Sequence, residues 1–158
     1  MPKDLAITIK VNGTSVSRTV APRLNLVDFL RTELGLTGTH VGCEHGVCGA
    51  CTVRLNGEVV RGCLIFAVQA DGAEVETIEG LSERGELHVL QQVFHERNAL
   101  QCGFCTPGML LTAHELLAQQ SGPLSREQIR AHMSGNYCRC TGYQAIVDAI
   151  EAVAQRAL

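Results

Sequence analysis

The 158-residue chain is 46% apolar and 18% charged, and its mean hydropathy is close to zero, the profile of a globular protein rather than a disordered one. A net charge of −3 with singly scattered Lys and Arg offers no basic stripe to nucleic acid, and no apolar run nears the roughly 20 residues of a membrane span. With no Trp and 4% aromatics the core is expected to be aliphatic, and the absence of a signal-type apolar stretch near the start gives an expectation of cytoplasmic location.

In chain order, Leu5 to Val11 alternates apolar and polar residues, Asn12-Gly13 marks a turn, and Ser15 to Val20 returns as a second strand. Asn-Gly between alternating runs is the strongest short hairpin signal. Leu26, Val27, Leu30 and Leu34 recur at helical spacing between Asn25 and Gly35. Thr52 to Leu55, Asn56-Gly57 and Glu58 to Val60 repeat the hairpin pattern. A short apolar helix over Leu64 to Val68 and a strand over Val75 to Ile78 follow. Residues 1–80 thus read as a small β-grasp-like mixed sheet crossed by one helix.

Near Gly80 the pattern changes. Leu87, Leu90, Val93 and Phe94 mark a helix between Glu86 and Asn98. Thr106-Pro107 reads as a hydroxyl cap with Pro opening a helix that runs through Leu117 to the stop at Ser121-Gly122-Pro123. Ser125 to Gln128 has capping-box form, and Thr141 to Gln144 is a second candidate box before Ile146, Ile150 and Val153. Residues 81–158 therefore read as a four-helix bundle, and the chain as α+β with two unlike halves.

Eight cysteines need an explanation. A disulfide framework belongs to small exported domains, a context with no support here. Cys43, Cys48 and Cys51 have C-x4-C-x2-C spacing and Cys63 follows, which is the plant-type [2Fe–2S] pattern. Gly42, Gly46 and Gly49 would let the loop take left-handed turns and aim its N–H groups at the sulfurs. Cys102 and Cys105, in C-x2-C, and Cys138 and Cys140, in C-x-C, each precede a helix start and complete a second set of four. Helix N-termini would stabilise the anionic thiolates. A four-cysteine zinc site is the alternative for the first set, and C-x2-C taken alone could be a redox dithiol or half a zinc site. His40, His45, His88, His95, His114, His132 and Arg139 are read as ordinary loop, helix or surface residues.

At Gly42 to Val53, Gln101 to Gly108 and Asn136 to Gly142 the sequence resembles the iron–sulfur subunit of the molybdenum hydroxylases, the xanthine oxidase family. All eight cysteine positions match, and Tyr137 stands where many relatives carry Leu. The resemblance implies a plant-ferredoxin-like domain followed by a helical [2Fe–2S] domain, relaying electrons from a large molybdopterin subunit to a medium FAD subunit or another acceptor. It implies that the Cys102/Cys105/Cys138/Cys140 cluster lies nearer molybdenum, and that Gln101 and Cys140 approach the pterin. Without the resemblance Gln101 would be an exposed polar residue before a loop. The other readings are a free-standing two-cluster ferredoxin-type carrier and a zinc-stabilised interaction module. Substrate and reaction direction would be set by another subunit.

Overall fold

The computed structural model describes residues 3–82 and 85–156. Leu5–Val11 (β1) and Thr14–Val20 (β2) pair antiparallel from Leu5↔Val20 to Val11↔Thr14. Asn12 and Gly13 both take positive φ, 47° and 81°, as a type I′ turn requires. Thr52–Leu55 (β3) and Glu58–Arg61 (β4) form the second hairpin, with positive φ at Asn56 and Gly57. Glu74–Glu76 (β5) runs parallel to β1 and antiparallel to β3. Among the described residues this makes a five-stranded sheet in the order β2-β1-β5-β3-β4.

Alternation along β1 sends Ile7, Ile9 and Val11 into the first core, with Val20, Val53, Val75 and the helical segment above them. That segment departs from the expected regular helix. Leu26–Asp28 (α1), capped by Asn25 Oδ1 accepting the Asp28 N–H at 2.8 Å, passes into a π-type turn over Phe29–Glu33. Leu26, Val27, Phe29 and Leu30 are all 0% exposed, a wider apolar face than a regular amphipathic helix presents, and the wide turn accommodates it. The expected helix over Leu64 to Val68 is instead two 3₁₀ turns, Gly62–Leu64 and Ala67–Ala70. Between them the Ile65 carbonyl accepts the Leu26 N–H and the Ala67 N–H reaches the Leu24 carbonyl, which ties the segment down in extended form. Strand β5 is shorter than expected because Ile78 leaves the sheet in a 3₁₀ turn and packs against the second core.

That second core lies among Val89–Glu96 (α2), Thr106–Gln119 (α3), Arg126–Met133 (α4) and Gln144–Arg156 (α5), and includes Leu90, Phe94, Met109, Ile129, Ile146 and Ile150. Phe29 in one core and Phe94 in the other correct the aliphatic expectation. Helix α2 begins later than expected because His88 caps it, its Nδ1 accepting the Leu90 N–H at 3.2 Å; Leu87 stays exposed. The box at Ser125 and Gln128 forms, with Gln128 N–H to Ser125 Oγ at 3.2 Å and Ser125 N–H to Gln128 Oε1 at 2.8 Å. Thr106 is not the cap of α3; Cys105 holds that position and Thr106 lies in the first turn. Nor does Thr141 cap α5, because the helix begins only at Gln144, three residues on. Among the described residues no helix is long and apolar enough to cross a membrane.

The sheet and the helices meet along β3, β4 and α3. Glu115 of α3, 6% exposed, accepts the Val59 N–H at 2.6 Å and faces His132 Nε2 at 3.3 Å. A buried carboxylate thereby satisfies a backbone donor on the edge strand. Beside it Arg54 pairs with Glu76 at 2.5 Å and lies 3.3 Å from His114 Nδ1.

Candidate metal centres

Residues 42–51 form a loop directly before β3, and its conformation follows from the sulfurs it must expose. Gly46 and Gly49 have φ of 83° and 76°, as expected. Gly42 does not; it matters because a Cβ there would stand 3.0 Å from Cys48 Sγ. Glu44 supplies the remaining left-handed turn, at φ 58°. The amide of Cys48 donates to Cys43 Sγ at 3.3 Å and that of Ala50 to Cys48 Sγ at 3.5 Å. Cys63 enters from the 3₁₀ turn after β4, where the Gly62 N–H bonds the Cys51 carbonyl at 3.1 Å. The Cys51 thiol interacts with those of Cys63 and Cys48, and the Cys43 thiol with that of Cys48. The four side chains of this set therefore stand together.

The second set forms between the helices. Cys140 Sγ lies 3.6 Å from Cys102 Sγ, and the Cys105 thiol interacts with those of Cys138 and Cys102. Cys102 and Cys140 are the exposed pair, and Cys105 and Cys138 the inner, half-buried pair. The donors at Cys138 Sγ include the Thr141 N–H at 3.4 Å and the Thr141 hydroxyl at 3.2 Å. Gln101 Nε2 donates to the Cys140 carbonyl at 3.0 Å, so this exposed side chain spans the mouth of the set. Arg139 is exposed.

The thiols feel unlike surroundings. N–H groups of His45 and Cys48 bring the Cys43 thiol down to about 6, while burial pushes Cys51 up to about 11 and Cys105 up to about 12. Cys105 caps α3, where a helix dipole should ease ionisation, yet loss of water outweighs that help. At Cys138 burial raises the thiol, but bonds from the hydroxyl and amide of Thr141 and the amide of Cys140 more than offset it, and the net shift is downward. Burial keeps the Cys51 and Cys105 thiols protonated in the absence of a cation, and a bound cationic iron centre would have to displace those protons. All eight cysteines are free thiols, and both sets present thiolates with inward donors. The residues thus fit the group that their spacing suggests.

The two sets are joined by a polar seam invisible in the sequence. Asn136, 2% exposed, donates to the Gly49 carbonyl at 3.2 Å and Thr52 Oγ1 at 3.3 Å, and accepts from Thr112 Oγ1 at 3.1 Å. Arg61 reaches the Gly135 carbonyl at 2.7 Å. The Tyr137 N–H donates to the Cys48 carbonyl at 2.9 Å, which bonds a residue of the first loop to the neighbour of Cys138. His40, read as an ordinary loop residue, stacks on Phe104 with ring centroids 4.7 Å apart and bonds the Phe104 carbonyl at 2.8 Å. His45 Nδ1 contacts the Cys43 carbonyl. The one available signal was position, since Asn136 lies two residues before the C-x-C pair and Thr141 directly after it.

Comparison with known proteins agrees with this geometry. Residues 9–81 match the family model of the 2Fe-2S iron-sulfur cluster binding domain, and residues 77–151 that of the [2Fe-2S] binding domain. Caffeine dehydrogenase subunit gamma of Pseudomonas sp. (strain CBB1) is 55% identical over 93% of this chain and 89% of its own. The nicotine 6-hydroxylase small subunit of Paenarthrobacter nicotinovorans is 50% identical over 94% and 90%. The crystal structure of quinoline 2-oxidoreductase from Pseudomonas putida 86 contains a chain that superposes with a TM-score of 0.93, at 51% identity over 99% of this chain and 97% of that one. With two successive [2Fe–2S]-binding domains and such relatives over nearly its whole length, the chain belongs to the small iron–sulfur subunits of the molybdenum hydroxylase family, the electron-transfer subunits of oxidoreductase complexes.

Proposed function

We propose that the chain carries two [2Fe–2S] clusters, one held by Cys43, Cys48, Cys51 and Cys63 and the other by Cys102, Cys105, Cys138 and Cys140. The observation that carries this reading is the convergence of eight free thiols into two fours, with N–H donors turned toward their sulfurs. Each cluster supplies a one-electron store. Residues 1–80 act as a ferredoxin-type β-grasp domain and residues 81–158 as a helical bundle domain around the second cluster. The hydrogen bond from the Tyr137 N–H to the Cys48 carbonyl gives a short route between the sets through one hydrogen bond.

The partners are a large molybdopterin subunit and a medium FAD subunit or other acceptor, in the cytoplasm. Gln101 and Cys140, exposed and bonded to each other, face the pterin. Caffeine, nicotine and quinoline, in the names of the relatives, are nitrogen heteroaromatics, which supports an N-heterocycle as the substrate of the partner. A zinc module is disfavoured because three cysteines in one C-x4-C-x2-C loop with a remote fourth, Cys63, is not the paired-knuckle spacing of structural zinc. A free carrier gives no reason for Gln101 and Cys140 to stand exposed beside a second cluster.

The test is metal analysis of the protein purified with whatever accompanies it. Iron and molybdenum at about four to one are expected for two two-iron clusters per molybdenum centre. Iron without molybdenum or a partner would favour the free carrier, and zinc in place of iron would overturn both.

A further inference from the structure

Thr141 lies between the C-x-C pair and α5, and its hydroxyl has two neighbours that settle where its hydrogen goes. The Tyr143 N–H lies 3.2 Å from Thr141 Oγ1. An amide can only donate, so the oxygen accepts there and its own hydrogen is left for Cys138 Sγ at 3.2 Å. The arrangement is closed by a return bond, the Cys138 N–H donating to Tyr143 Oη at 2.9 Å. Tyr143 holds φ at 70°, a left-handed conformation unfavourable for a bulky side chain. The local backbone thus accepts strain in the geometry that directs the hydroxyl at the sulfur.

We propose that Thr141 is a positioning residue that sets the reduction potential of the second cluster, its hydroxyl donating to Cys138 Sγ and favouring the reduced form. The inference rests on the reading that Cys138 ligates that cluster. Reduction adds one electron, converting a ferric to a ferrous iron and deepening the negative charge on the thiolates. A hydrogen bond to a more negative acceptor is stronger, so the donor stabilises the reduced state more than the oxidised one and raises the potential. The donors found on Cys43 and Cys48 are backbone amides, which side-chain changes leave in place. At Cys138 the second cluster has a side-chain donor, and electrons are thereby drawn toward it.

The test is an EPR-monitored redox titration of the purified complex, with Thr141→Val removing the donor at nearly constant shape and Thr141→Ser keeping it. In Thr141→Val the reduction equilibrium of the second cluster should fall by about tenfold, which is ~59 mV for a one-electron couple. Thr141→Ser should titrate close to the parent, and the first cluster should not move in either variant. An unchanged potential in Thr141→Val overturns the inference, and so does an equal shift in both variants, which would indicate lost packing. Loss of the second cluster in Thr141→Val but not in Thr141→Ser overturns it as well, since the hydroxyl would then build the site rather than tune it. Absence of the second cluster from the parent protein contradicts the underlying ligand reading instead.

Discussion

His114 lies half-buried on α3 against the sheet, and burial, followed by the charge of Arg54 and the neighbouring His88, holds it below its ordinary value, with Glu76 pulling the other way. Its Nδ1 faces Arg54 Nη1 at 3.3 Å, so a neutral ring accepts where a protonated one would set donor against donor. As pH falls through about 6.5 the unfolded chain takes up this proton before the folded one. The stability contribution of neutral His114 is therefore present above that pH and lost on acidification. Replacing it should make the acid-side fall in melting temperature shallower, checked by thermal denaturation of His114→Gln and the parent between neutral and mildly acid pH. A steeper fall would contradict the sign. At this scale the two groups of cysteines were legible because C-x4-C-x2-C, C-x2-C and C-x-C are local spacings. Glu115 and Asn136 were not, because their partners Val59 and Gly49 lie 56 and 87 residues away in sequence, and polar seams carry no local pattern.

Between elements, the loop over residues 42–51 rests on the start of α3 through two glycines. A Cβ at Gly108 would stand 2.4 Å from the Gly49 carbonyl oxygen, and one at Gly49 would stand 2.7 Å from the Gly135 oxygen. Glycine inside a helix costs about 1 kcal/mol relative to alanine, so propensity alone would make Gly108→Ala stabilising. Overpacking against backbone costs about 1–3 kcal/mol, and the close approach wins. Gly108→Ala should lower the melting temperature and release iron from the first set before the second; a gain in stability would show that the loop can yield. Both hairpins were readable because Asn-Gly specifies its own turn. The π-type turn at Phe29–Glu33 and the 3₁₀ turns around Ile65 were not, since each answers to long-range burial or backbone bonding. Thr141 was misread as a cap because a hydroxyl before a helix has the same sequence signature whether it caps or bonds a sulfur, and Thr106 because α3 begins at Thr106 itself, with Cys105 at the cap position.

For the whole molecule, two unlike cores meet along one seam, and the two thiol sets stand on either side of it. Asn136, Arg61 and Glu115 fix the distance and orientation of the sets, and the Tyr137–Cys48 bond links them. The α+β class was visible in periodicity. The packing of sheet against helices was not, because neither half marks in sequence the face it gives to the other. The most direct measurement is EPR of the dithionite-reduced complex, comparing the parent with Cys140→Ser. The expected result is two distinct one-electron signals in the parent. In the variant one of them should be lost or shifted, with the other unchanged and turnover abolished. Full iron content with both signals and turnover intact in Cys140→Ser would contradict the division of the eight cysteines into two independent clusters.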